Sequence, residues 1–315
     1  MAHAQAAEGS TALNQFDPAP AGDRFFGVPS PYTRGHLEPR VIALFDYAHN
    51  PLVVKDATGS RAVVSSQGFL HVGLSFSLWN RLLVSAHMPI ALAQAGDDPT
   101  VGGVHFPSPT GQQAGDLRIG GRVRLTGGAR QPLQIGVGTS FYIPTSPDDT
   151  YTGEAFRLAP ELIAGGHIWR LVWSANIRPM LRASTSPISL DYGVALAYLT
   201  EEDRLQIGLE YIGSTPLQDG VATLPGGVTL LRGRVSNAEL HASARVRIAS
   251  GLWAGLAAGP GFTDAIGTPA FRATAMIGWF GEPLEDRRRD RLRNRDRNRR
   301  RDRDPNREQW RNRTR

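Results

Sequence analysis

The feature that most constrains this chain is a period of two in its hydrophobicity, sustained through segment after segment. In residues 202–217, EDRLQIGLEYIGSTPL, Leu205, Ile207, Leu209 and Tyr211 fall on one face of an extended chain. Arg204, Gln206, Gly208 and Glu210 fall on the other. Residues 116–125 set Leu117, Ile119, Val123 and Leu125 against Asp116, Arg118, Arg122 and Arg124. Residues 170–182 set Leu171, Trp173, Ala175, Ile177 and Leu181 against Ser174, Asn176, Arg178 and Arg182. Residues 237–248 repeat the pattern with Ala238, Leu240, Ala242, Val246 and Ile248 opposite Asn237, Glu239, His241, Arg245 and Arg247. Two folds satisfy such alternation. A soluble sandwich turns the apolar face inward, whereas a barrel in a bilayer turns it to lipid and fills its lumen with the charges.

Counting with this period predicts about twelve strands. They fall near residues 40–49, 67–78, 81–92, 115–126, 132–143, 156–168, 170–182, 189–200, 203–213, 236–248, 251–259 and 270–280. The connections alternate in length. Tight links, WNR (79–81), TGGARQ (126–131), WR (169–170), EED (201–203) and ASG (249–251), interleave with longer ones such as NPLVVKDATGSRAVVSS and STPLQDGVATLPGGVTLLRGRV. An even strand count with short turns at one end and long loops at the other is the arrangement of an antiparallel transmembrane β-barrel. A sandwich does not require it. The polar face also carries the small Gly and Ser residues that a crowded interior needs.

Composition bounds the chemistry. The 315 residues include no cysteine, which removes disulfides, thiolate metal sites and a cysteine nucleophile. No run of about 18 apolar residues occurs, so no spanning helix is expected. From Leu284 to Arg315 there are 15 Arg against 7 acidic residues, a net charge of +8, while the other 283 residues carry a net −2. This end, residues 284–315, reads as a disordered Arg-rich tail, either a polyanion-binding arm or a solvated end without a dedicated partner. Ala2-His3-Ala4 and Ala4-Gln5-Ala6 match the small-x-small pattern of a processing site, so residues 1–13 read as the remnant of a signal segment. Residues 14–39 then read as a periplasmic lead-in and 40–283 as the barrel.

Aromatic residues gather near strand ends, at Phe45, Tyr47, Trp79, Trp169, Trp173, Tyr198, Tyr211, Trp253, Trp279 and Phe280, where bilayer-interface rings belong. The last strand, FRATAMIGWF, places Trp279 and Phe280 as the barrel-closing aromatics. With NQFDPAPAGDRFFGVPSPYTRGHLEPRVIALFDYAHNPLVV, GFLHVGLSFSLWNRLLVSAHMPIALAQAG, GDLRIGGRVRL, FYIPTSPDDTYTGE and AGLAAGPGFTDAIGTPAFRATAMIGWF, that strand gives an ordered set of segments over roughly residues 14 to 283. The set resembles the N-terminal barrel region of OmpA-type outer-membrane proteins of the myxobacterial kind. The resemblance implies a barrel in a Gram-negative outer membrane. It also implies that an acidic calcium-binding linker and a peptidoglycan-binding domain would follow. Here the Arg-rich tail stands after GWFGEPLEDR instead, so wall anchoring by such a domain is not carried over.

Catalytic patterns are weak. Asp97-Asp98, Asp148-Asp149 and Glu201-Glu202 fall in turns or loops, where solvated acids are the default. His71 and His87 point to the lumen from neighbouring strands, but two imidazoles alone make a poor metal site. GPGFTDAIG opens no helix, and Ser65-Ser66 have no base nearby in sequence. No metal, cofactor or nucleic acid is expected. The expected partners are outer-membrane lipid and, through the tail, anionic cell-wall polymer. The candidate site is a lumen charge network of Arg118, Arg122, Arg124, Glu161, Arg178, Arg182, Arg204, Glu210, Glu239, Arg245 and Arg247, expected to block most of the interior through interstrand ion pairs. The functional reading is a non-enzymatic envelope barrel with a narrow or plugged pore. The alternatives are a lipid-hydrolysing outer-membrane enzyme and a soluble β-sandwich with a polyanion-binding tail.

Overall fold

A computed structural model describes residues 12–281 except 34, 57–58, 102, 110, 129, 148–149, 185, 201–202 and 225–227. The processing pattern before Ala12, Asp148-Asp149, Glu201-Glu202 and the Arg-rich tail therefore lie outside the described residues. The first strands are β1 (Glu38–Asp56), β2 (Gly59–Leu78) and β3 (Leu82–Ala95), followed by the short β4 (Thr100–Val101), β5 (Val104–His105) and β6 (Gln113–Ala114). Next come β7 (Leu117–Thr126), β8 (Gln134–Ile143), β9 (Arg157–Ile168), β10 (Leu171–Arg182), β11 (Ser189–Leu199) and β12 (Leu205–Pro216). A hairpin, β13 (Gly220–Leu224) and β14 (Val228–Arg232), precedes β15 (Asn237–Ala249), β16 (Leu252–Pro260) and β17 (Phe271–Trp279).

Twelve of these strands form one antiparallel sheet in the order β1-β2-β3-β7-β8-β9-β10-β11-β12-β15-β16-β17, and β17 returns to β1. The closing ladder runs from Val41 opposite Trp279 to His49 opposite Phe271. The fold is an all-β, closed barrel of twelve strands, and closure rules out the two-layer sandwich. Its two faces differ as a membrane requires. Ile207 and Leu209 are 55% and 54% exposed on the outside, whereas Gln206 and Glu210, their neighbours in β12, are 4% and 0% exposed on the inside. Leu74, Val194, Leu196, Leu256 and Ile277 continue the outer apolar face. In water that face would be a large aggregation surface; against acyl chains it costs nothing.

The short turns lie at the end where β1 begins and β17 finishes. Trp79 (φ 51°) and Asn80 (φ 57°) both take left-handed backbone in the β2–β3 turn, the geometry of a tight hairpin that follows the strand twist. Trp169 (φ 55°) does the same between β9 and β10. Both indoles project, and Trp79 stacks on His36. At the opposite end the structure departs from expectation. Residues 50–56 and 59–66 are not a loop, because β1 and β2 continue outward as a paired ladder with bulges near Leu52. Leu52, Val63 and Val64 bury there against Phe106, Tyr151 and Leu224, so an apolar cap draws extended chain out of the membrane.

The larger departure concerns the N-terminal segment. Leu13 is buried in that cap, among the long loops, while Gly35 exchanges hydrogen bonds with Asn80 at the short-turn end (2.9 Å each). Residues 12–33 thus cross the whole lumen before the chain reverses into β1, and are not a lead-in outside the barrel. The physical cause is space, since twelve strands enclose more volume than inward side chains alone fill.

Ile207→Arg and Leu209→Arg place a charge on the lipid face and should each cost about 2–4 kcal/mol near the bilayer midplane. Heat-modifiable gel migration of the refolded variants measures this, and wild-type folding yield for both would mean the outer face was misassigned.

Candidate functional site

The site is the lumen and the segment that fills it. That segment, LNQFDPAPAGDRFFGVPSPYT, is rich in Pro and Gly and cannot extend a sheet, so its own polar groups need partners from the wall. Asp17 is held by three donors. Arg178 Nη1 and Tyr142 Oη each donate to Oδ2 at 2.6 Å, and Arg118 pairs with Oδ1. Arg118 and Arg178 thus set two positive charges beside the buried Asp17 carboxylate and offset the cost of taking it out of water.

One turn of chain further on, Asp23 accepts from Arg122 Nη1 (2.7 Å) and from its own Ser30 backbone N–H (3.1 Å), and its carbonyl accepts from Arg245 Nη1 (2.5 Å). The backbone then presents donors to an acid. The N–H groups of Phe26, Gly27 and Val28 converge on the Glu210 carboxylate at 2.9–3.3 Å. Three amide donors on a fully buried carboxylate offset much of the cost of taking its charge out of water. Ser75 donates to the Ala21 carbonyl at 2.6 Å, Gln206 to Arg24 at 2.6 Å and Ser174 to Pro29 at 2.7 Å. The wall also makes room. A Cβ on Gly193 would lie 2.9 Å from Val28, and one on Gly255 would lie 2.9 Å from the Phe26 ring.

Beside the segment, the wall charges pair among themselves. Arg272 of β17 bridges Asp46 of β1 (2.8 Å) and Glu239 of β15 (2.7 Å), all three buried, and reaches the Asn14 side chain at 3.0 Å. His241 contacts Glu239 at 3.0 Å. His71 and His87 meet at 3.1 Å with stacked rings, and Phe16 makes a T-shaped contact with His71. Toward the long loops, Arg157 and Arg182 share Glu154, and Arg157 also holds Asp116 at 2.8 Å. Cavities of ≈ 70 and ≈ 50 Å³ remain beside the segment.

Arg118, Arg122, Arg124, Glu210, Glu239 and Arg245 are all buried on the inward face. Glu161, Arg178 and Arg182 are half-buried there, with Glu161 accepting from Asn176 at 3.0 Å. Arg204 is exposed at the turn before β12, and Arg247 is half-buried at the same end, so neither lies deep in the network. The blockage is of a different kind from the one expected. Interstrand pairs exist, but Arg118, Arg122 and Arg245 are anchored mainly to the N-terminal segment. Trp279 ends β17 on the outer face, whereas Phe280 turns inward and is buried, stacked on Trp253 beneath Arg245. Phe280 and Trp253 thus pack the lumen and are not interface rings. Asp46 and Arg272 lie on the inward parity of strands read from sequence and could have been found by extending that count. Asp17 and Asp23 carry no such signal.

The fold and its apolar girdle define an outer-membrane β-barrel of the Gram-negative envelope. No family model matches the chain, and no curated protein matches it. Among solved structures, the outer membrane channel from Pseudomonas putida F1 is similar with a TM-score of 0.60 at 11% identity, over 79% of this chain and 97% of that one. LpxR from Salmonella typhimurium aligns over 76% of this chain and 99% of that one, at 12% identity and a TM-score of 0.47.

Glu210→Gln removes the charge that gathers three backbone donors and should weaken docking of the segment by about 1–3 kcal/mol. Because the chain has no cysteine, Ala21→Cys provides a single buried reporter thiol. Maleimide labelling should be slow in the Ala21→Cys barrel and faster when Glu210→Gln is added; equal rates would show that Glu210 does not hold the segment.

Proposed function

We propose that this protein is a non-enzymatic outer-membrane barrel whose pore is closed from within by its own N-terminal segment, serving the envelope as a plugged channel. The observation that carries this reading is the anchoring of Asp17 to Arg118 and Arg178 and of Asp23 to Arg122 inside the lumen. These charge-assisted bonds act beside the amide donors to Glu210 and the buried Phe16, Phe26 and Val28, so the polar anchors are the part of the docking that charge-removing substitutions address. The fold shared with an outer membrane channel supports a pore.

The ordered resemblance of residues 14–283 to OmpA-type barrel regions supports an envelope role for the barrel. The +8 charge of residues 284–315 supports electrostatic retention on anionic cell-wall polymer. Deleting that tail should abolish salt-sensitive retention on isolated sacculi while leaving insertion intact; unchanged retention would remove the polymer as a partner.

In planar bilayers the full-length barrel should stay closed for most of a recording. Asp17→Asn with Asp23→Asn weakens hydrogen bonds to charged groups worth about 1.5–3 kcal/mol each and should raise the open fraction. A steady, large conductance from wild type, or no change in the double variant, would sink the plugged-channel reading.

A further inference from the structure

We infer that the open lumen is built for carboxylate-bearing anions and that Asp17 occupies their site in the closed state; this rests on the plugged-channel reading. The inward faces of β7 to β10 carry Arg118, Arg122, Arg124, Arg157, Arg178 and Arg182 against a single acid, Glu161. Arg157 and Arg182 are neutralised by the loop acids Asp116 and Glu154, which stay with the wall. The other four are not compensated to the same degree. Asp17 serves Arg118 and Arg178, the latter also 3.4 Å from the wall carboxylate of Asp191 in β11, and Asp23 serves Arg122. When the segment leaves, those carboxylates leave with it, and the basic wall loses two of its counter-charges while keeping its arginines.

The opposite wall is acidic, with Asp46, Glu239 and Glu210 against Arg272 and Arg245. The segment matches this division, offering carboxylates to the basic side and backbone N–H groups to Glu210. An anion passing through follows the basic side. The position Asp17 vacates is a formed cradle of two guanidinium groups and the Tyr142 hydroxyl, the donor set that a carboxylate takes best. Further donors stand ready, since the buried Nε atoms of Arg122 and Arg178 find no protein acceptor.

The test is a barrel lacking residues 12–33, studied in bilayers under a KCl gradient, with citrate as the probe carboxylate. The expected result is a reversal potential of the sign for chloride, current block by citrate, and a half-blocking concentration raised about tenfold or more by Arg118→Gln with Arg178→Gln, which remove two charge-assisted bonds. Cation preference, or citrate block indifferent to those substitutions, overturns the carboxylate assignment but leaves the plug intact. A folded, plug-free barrel that remains closed overturns the plugged-channel reading and this inference with it. Should the deletion not fold, a protease site inserted after Thr33 lets the barrel fold around the segment, which is then cleaved and washed out with high salt before the same measurements.

Discussion

Everything in this molecule follows from the ladder between the first and last barrel strands, in which residues 41–49 of β1 pair with residues 271–279 of β17. Inside a bilayer no water satisfies a backbone N–H or C=O, so an open sheet edge is excluded and a sheet that enters lipid has to close. Closure with twelve strands commits each residue to one of two environments, and neighbours in sequence alternate between them. Ile207 meets acyl chains and Gln206 meets the lumen because they are adjacent, and no local interaction can change that.

Closure also creates the problem that the N-terminal segment solves. A lumen of this size lined with arginines and acids cannot collapse, and buried guanidinium groups without partners are costly. Wall pairs settle part of it, as the Asp46–Arg272–Glu239 group does across β1, β17 and β15. The remaining charge is met by residues 12–33, whose carboxylates face β7 and β10 and whose amides face β12. Glycines at 193 and 255 leave space for Val28 and Phe26, so shape and charge agree along the segment. The same contacts that keep the barrel full also keep it shut. In the proposed reading as a plugged pore, stability and closure are one set of interactions, and opening requires giving part of them up.

The barrel itself was legible in the sequence because its rule is local. Alternation in 116–125, 170–182, 203–213 and 237–248 assigns each side chain to lipid or lumen without knowledge of any partner, and short turns against long loops fix the strand count and the two ends. That rule placed Arg118, Arg122, Glu210, Glu239 and Arg245 inside. It weakened at the rims, where Arg204 leaves the lumen and Phe280 enters it, because alternation ends where the sheet does. It also missed the outward extension of β1 and β2, whose stability comes from apolar contacts with distant loops.

The contents of the lumen were decided only by tertiary structure. Residues 12–33 have no periodicity, and Asp17 and Asp23 look like ordinary acids in a Pro- and Gly-rich stretch. Their partners lie about 100 or more positions away, as Arg118 and Arg178 do for Asp17 and Arg122 does for Asp23. Sequence by itself determined which face of each strand bears charge, since a pleated strand imposes that choice residue by residue. Which charges meet depends on how a closed cylinder folds its own end back through the middle, and that is a property of the volume enclosed.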